Sequence, residues 1–159
     1  MGYEECFCAM KVLSKVIEWY DISEIWRDLL WKDREDIIPI SCMTHDGKID
    51  ASIKHKYIPV HHGIYVNDEL AGVISGHNTS EIYYRCRGIY IKESYRGFGL
   101  SKLLFGLVES EASYKNCLYI WSYPRMSALG SYKKSGFVEY GEVENSGYSG
   151  PNIRVCKKI

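Results

Sequence analysis

The stretch Ile89-Tyr90-Ile91-Lys92-Glu93-Ser94-Tyr95-Arg96-Gly97-Phe98-Gly99-Leu100-Ser101-Lys102-Leu103-Leu104 constrains the fold more than any other part of the chain. It reads as a strand, a tight glycine turn and the start of a helix whose apolar side is Leu100, Leu103, Leu104, Leu107 and Val108. A helix starting straight after such a turn leaves its first backbone N–H groups without partners, at the positive end of its dipole. Phosphate oxygens suit that position, and Gly97 and Gly99 would let them approach without a Cβ in the way. Arg96 adds a cation beside them. Two common phosphate loops are excluded. Lys102 stands where a Rossmann fingerprint needs its third glycine, and no Gly-Lys-Ser/Thr follows at P-loop spacing. Taken alone, the glycine pair leaves a plain turn and an anion site equally open.

The flanking patterns alternate between strand and helix. Ile64 to Val66, a turn at Asn67-Asp68-Glu69, and Leu70 to Ser75 predict a hairpin. Tyr83 to Ile91 predicts a strand with Arg85, Arg87, Ile89 and Ile91 in one phase. Cys117 to Trp121 reads as a strand buried on both faces, followed by a helix from about Ser127 that Gly136 closes. Phe137 to Tyr140 and Ile153 to Cys156 are the last expected strands, with a Gly147 to Pro151 turn region between them. Near the start, Phe7 to Val16 predicts a strand. Ile22, Ile25, Trp26, Leu29 and Leu30 then recur at helical spacing behind a cap at Asp21 or Ser23. Lys32 to Pro59, with its Asp46-Gly47 turn, predicts loop and one short helix on a side suited to substrate contacts. The whole is an α/β chain of 159 residues, a length that fits one domain.

Charge narrows the function. Twenty Lys+Arg balance twenty Asp+Glu, which removes the usual warrant for binding nucleic acid or an anionic membrane. The six cysteines form no Cys-x-x-Cys, and His61-His62, His45 and His55 have no partner at ligand spacing, so no metal site is expected. The first ten residues carry Glu4 and Glu5 and no apolar core, so no export signal is expected. The thiols read as reduced, in a soluble cytoplasmic protein. Trp19, Trp26 and Trp31 read as core or as a subunit contact, which leaves a homodimer open.

Two separated blocks carry a family resemblance. Arg96-Gly97-Phe98-Gly99-Leu100-Ser101 follows the pattern Arg/Gln-x-x-Gly-x-Gly/Ala, with Ser101 at the last position. Ala128-Leu129-Gly130-Ser131-Tyr132-Lys133-Lys134-Ser135-Gly136-Phe137 follows Ala-x-x-x-Tyr-x-Lys-x-Gly-Phe, with Arg125 where an Asn often precedes it. From about Gly63 to Tyr140 the chain resembles the GNAT family of acyl-CoA-dependent N-acyltransferases. The resemblance implies a GNAT-type acyl-CoA N-acyltransferase fold, a three-layer α/β/α arrangement with a mixed, splayed central sheet, over residues 1–159.

It also implies chemistry. Acetyl-CoA would be the acyl donor, its pyrophosphate on the amides of Gly97, Phe98, Gly99, Leu100 and Ser101 with Arg96 beside it. Its amide-rich arm would pair with Ile89, Tyr90 and Ile91, and the run ending at Trp121-Ser122 would form the other wall. A backbone N–H of that strand would stabilise the oxyanion, and Tyr132 would be the general acid. His77 and Glu81 are the candidate bases, with a water chain as the alternative. Arg85 and Arg87 are candidates for an acidic group on the acceptor or for a structural ion pair, and Tyr83, Tyr84 and Tyr123 for the cleft border. The implied function is N-acetylation of a primary amine on a small molecule or peptide. The alternative is a non-catalytic module that binds acyl-CoA.

Overall fold

The alternation along Tyr83–Ile91 decides the layering. It turns Tyr84 and Cys86 into a core beneath one pair of helices, and Arg85 and Arg87 to the opposite face. A computed structural model of the protein describes residues 10–45, 48–145 and 150–159. In chain order the elements are β1 (Val12–Ile17), α1 (Trp19–Ile25), β2 (Thr44–His45), β3 (Lys48–Ile49), α2 (Ala51–Lys54), β4 (Val60–Val66) and β5 (Glu69–Asn78). They continue with β6 (Tyr83–Ile91), α3 (Leu100–Tyr114), β7 (Tyr119–Ser122), α4 (Leu129–Lys134), β8 (Val138–Glu144) and β9 (Asn152–Lys158). A seven-stranded sheet runs β1-β4-β5-β6-β7-β9-β8, and β2 and β3 form a separate small hairpin. Every pairing in the large sheet is antiparallel except β6 with β7.

α3 packs Leu100, Leu104, Phe105, Val108 and Ala112 on Ile64, Ile74, Tyr84 and Ile120. Each such large apolar side chain contributes about 1.5–3 kcal/mol on burial. Leu103, expected on that stripe, is half exposed at the stripe's edge. On the other face Trp26, Ile22, Ile25, Met43 and Val73 form a second core. Trp19 and Trp31 pack against Trp26 there, at ring-centroid separations of 5.9 and 4.8 Å.

Several local expectations are refined. Glu18, not Asp21 or Ser23, caps α1, while the Asp21 carboxylate accepts from the Glu18 N–H at 3.1 Å. The helical pattern then loosens into a π-turn at Trp26–Leu30. The irregular region contains a short 3-10 turn (Ser41–Met43), the β2–β3 hairpin and α2, more structure than one helix. β7 is half-exposed at Tyr119 and Trp121, so it is not buried on both faces. Cys42, Cys86, Cys117 and Cys156 are free thiols. The Asp46-Gly47 turn, Phe7 to Ala9, and most of the Gly147 to Pro151 turn lie outside the described residues. No described helix is long and apolar enough to cross a membrane.

Candidate active site

The parallel pairing of β6 with β7 lasts for three residue pairs, Tyr83 with Tyr119, Tyr84 with Ile120 and Arg85 with Trp121. Beyond Arg85 the two strands part, and a cavity of about 520 Å³ opens between them. β6 contributes Arg85, Arg87, Gly88 and Ile89 to its wall, and the end of β7 contributes Ser122 and Tyr123. Tyr132 enters from α4, Trp31 to Arg34 from the chain after α1, and Glu144 and Arg154 from β8 and β9.

A bulge shapes the β6 wall. Val73 pairs with Tyr90 and Ser75 with Arg87, so Gly88 and Ile89 have no register partner in β5. Gly88 has φ +71°, and its carbonyl accepts from the buried Trp26 indole N–H at 3.0 Å. A Cβ there would lie 2.7 Å from the Trp26 ring, so both the conformation and the space demand glycine. Ile74 of β5 stands opposite the bulge, and both Gly88 and Ile89 line the cavity beyond the point where β7 leaves.

Ser122 and Tyr132 form a short polar chain across the gap. The Ser122 hydroxyl is 2.7 Å from the Cys86 carbonyl, which can only accept, and 3.3 Å from the Tyr132 phenol. Since serine has a single proton and directs it to the carbonyl, the Tyr132 phenol donates to Ser122 Oγ. Burial first, then the neighbouring Cys86, raises the Tyr132 pKa above the usual phenol range. The phenol is therefore protonated at neutral pH.

At the far end of β6 the glycine turn is open. Gly97 (φ +86°) and Gly99 (φ +78°) both take left-handed conformations, and a Cβ on either would meet nothing within 4 Å. Gly99 immediately precedes α3, with Leu100 buried to anchor the helix start, Ser101 half-buried and Phe98 exposed. Arg96 folds back, its Nε donating to the Ile91 carbonyl at 2.9 Å and its guanidinium 5.2 Å from the Tyr90 ring centroid. A free helix start, an open glycine backbone and an adjacent cation together fit the pyrophosphate of a coenzyme A-type molecule.

Other sequence candidates fall elsewhere. His77 shares the face of Arg85 but is wholly covered by the segment Ser41–Met43. Its Nδ1 lies 3.0 Å from the Asn78 carbonyl and its Nε2 3.3 Å from the Cys42 carbonyl. Burial lowers its pKa to about 4. Glu81 is exposed on the β5–β6 turn, beside Lys56 and Tyr57 in a separate shallow groove. Neither expected base reaches the cavity, whose carboxylates are Asp33 and Glu144. Tyr84 is buried under α3 and Tyr83 stacks on Tyr119, so of the three border tyrosines only Tyr123 lines the cavity. The Tyr123 hydroxyl donates to Glu144 at 2.6 Å.

Thr44, Arg34 and Arg154 also line the cavity, and sequence reasoning missed all three. Only Arg154 left a trace, as a charge in an apolar-alternating strand. Arg125, noted for replacing an Asn, lies on the rim.

A mixed sheet split at one parallel strand pair, with a glycine-capped helix at the end of the inner strand, is the scaffold of an acyl-CoA N-acyltransferase. The model of the Acetyltransferase (GNAT) family matches residues 23–137, and the chain belongs to that family. The structure is similar to Ard1 from Thermoplasma volcanium, at TM-score 0.68 and 16% identity over 93% of this chain and 97% of that one. It is similar to PaiA N-acetyltransferase from Thermoplasma acidophilum in complex with coenzyme A, at TM-score 0.64 and 17% identity over 94% and 100% of the two chains. An aminoglycoside 6'-N-acetyltransferase complexed with coenzyme A matches at TM-score 0.68 and 14% identity over 92% and 96%. No curated protein sequence matches significantly. Family and fold together support an acyltransferase with a coenzyme A-type cosubstrate.

Proposed function

We propose that the protein is a cytoplasmic acetyl-CoA-dependent N-acetyltransferase, acting on a primary amine of a small molecule or peptide by direct attack in a ternary complex. One observation supports this reading: the gap where β6 leaves β7 is lined by both the bulged Gly88–Ile89 stretch and the Tyr132 side chain. Coenzyme A, when bound, supplies an acyl group activated as a thioester. The amides of Gly97 to Ser101 would hold its pyrophosphate, and Ile89 to Ile91 would pair with its amide-rich arm. A backbone N–H of the bulged stretch at Gly88 and Ile89 would stabilise negative charge that develops on an oxygen in the cavity. Tyr132 holds a proton on its phenol oxygen, 3.3 Å from Ser122 Oγ, and would give it as the general acid to the thiolate that leaves when the carbon–sulfur bond breaks. With His77 and Glu81 away from the cavity, a water chain is the remaining route for the amine's proton among the expected ones.

Tyr132→Phe tests the assignment. It removes one proton and keeps the ring packed on Phe105 and Phe137, 4.7 and 5.4 Å away. The expected result is a fall in kcat of roughly 10- to 1000-fold with little change in acetyl-CoA affinity. Wild-type turnover in the variant would remove Tyr132 from the mechanism.

A further inference from the structure

Among the described residues no carboxylate balances the two β6 arginines. Arg85 is 5% exposed, yet one Nη donates only to the Thr44 carbonyl, at 2.7 Å, and its buried Nε has no partner. Arg87 donates to that same carbonyl at 2.9 Å and to the Thr44 hydroxyl. No described carboxylate pairs with either guanidinium. The Trp121 and Trp31 rings lie 4.7 Å from the Arg85 and 5.5 Å from the Arg87 guanidinium, yet a shared neutral carbonyl and two indole faces supply no counter-charge. Their surroundings add more positive charge: among the described residues Lys32, Arg34, Arg85, Arg87, Arg125 and Arg154 line the cavity against Asp33 and Glu144. Glu144 is already bound by Arg154 and Tyr123. Burial, then the Arg85 and Arg34 charges, pull the Arg87 pKa down to about 9.

We infer that the acceptor amine carries its own anionic oxygen group, a carboxylate or a phosphate, which Arg85 and Arg87 bind inside the cavity. The inference rests on reading the cavity as the acceptor side of a transferase. Phosphates of coenzyme A do not fill the role. Their glycine turn lies beyond Ile91, whereas Arg87 and Arg85 precede Ile89 by about 7 and 13 Å of extended strand. An anion between the two forks would supply the missing acceptor for Arg85 Nε in planar geometry suited to guanidinium. Asp33, also in the cavity lining, offers a partner to the ammonium end of the same molecule, so an acceptor of mixed charge suits the site better than a polyamine.

The test compares matched acceptors: amino acids against their decarboxylated amines, and phosphoethanolamine against ethanolamine. The expected result is at least a tenfold advantage in kcat/KM for the anionic member of one series, carried by KM. The series that responds identifies the group as carboxylate or phosphate. Arg85→Gln and Arg87→Gln should each erase about 10- to 100-fold of that advantage, the range for a hydrogen bond to a charged group. Equal or better use of the uncharged partners, or a preference that survives both substitutions, would overturn the inference.

Calorimetry with succinate and with inorganic phosphate, without acyl-CoA, reads the same site apart from catalysis. Binding that needs both arginines supports the inference even if no amine is acetylated. Acetylation with no anion effect leaves the transferase reading intact and the inference refuted. Thermal melting excludes a purely structural role. Arg85→Met and Arg87→Met, free of ligand, should melt at or above the wild-type temperature, since each removes a desolvated charge that has no described carboxylate partner. A large loss would show that the arginines chiefly clamp Thr44, against the inference.

Discussion

At Ser122 one hydroxyl proton fixes the direction of a hydrogen-bond chain. It goes to the Cys86 carbonyl, so the Tyr132 phenol must donate to the serine oxygen and is held with its proton toward the β6–β7 gap. Ser122→Ala would leave the phenol without this partner. Its expected effect is a loss of roughly 3- to 10-fold in kcat, about the worth of one modest hydrogen bond. In a double-mutant cycle, adding it to Tyr132→Phe should cost nothing further, because the two act as one unit. Additive losses would separate them. Tyr132 could be singled out from sequence because its whole block lies within ten consecutive residues. The position of His77 away from the cavity is not legible in the sequence, for the opposite reason. Its cover comes from Ser41–Met43, distant in sequence, and nothing near His77 records that burial.

At the scale of elements, two glycine conformations on β6 and its loop have separable consequences. Gly88→Ala forces a Cβ against the Trp26 ring in a left-handed conformation. It should lower stability by about 2–4 kcal/mol by overpacking and strain together, measured by urea unfolding, and flatten the bulge. Gly99→Ala has open space around it, so only the conformational cost of about 1–2 kcal/mol applies. Its larger effect should be on acetyl-CoA affinity, through the methyl group set on the proposed phosphate approach. A Gly99→Ala variant that binds acetyl-CoA normally would contradict the loop assignment. The β4–β5 hairpin, α3 and the glycine turn are legible in the sequence because their patterns are local and periodic. The β2–β3 hairpin was not, since two-residue strands are too short for a period to show. The bulge was hidden as well, because its cause is Trp26, 62 residues away.

Across the whole molecule, zero net charge conceals a concentrated field. The balanced count excludes a broadly basic surface, yet the cavity gathers cations that no composition could locate. Buried histidines give a second molecule-wide property. Burial lowers His61, and then His77, from the ordinary 6.5 to about 4, and His62 is lowered too. His61 faces Ser75 and the Trp26 ring, and His77 faces two carbonyls and Arg85, so no carboxylate welcomes the proton. Folded pKa values below the unfolded ones mean that the unfolded chain takes up protons first. Stability is then full above about pH 6.5 and declines as pH falls toward 4. Each proton contributes a slope of up to about 1.4 kcal/mol per pH unit. Melting temperatures that stay flat between pH 7 and 4.5 would contradict this.

A working acyl-transfer site in the split between β6 and β7 must release thiol from acetyl-CoA when its acceptor is present. Thiol release followed over a panel of amino acids, amino phosphates, polyamines, aminoglycosides and peptide N-termini should depend on one class of amine and fall with Tyr132→Phe. Tight acetyl-CoA binding without amine-dependent release from any of them would contradict the transferase reading and leave a non-catalytic acyl-CoA-binding module.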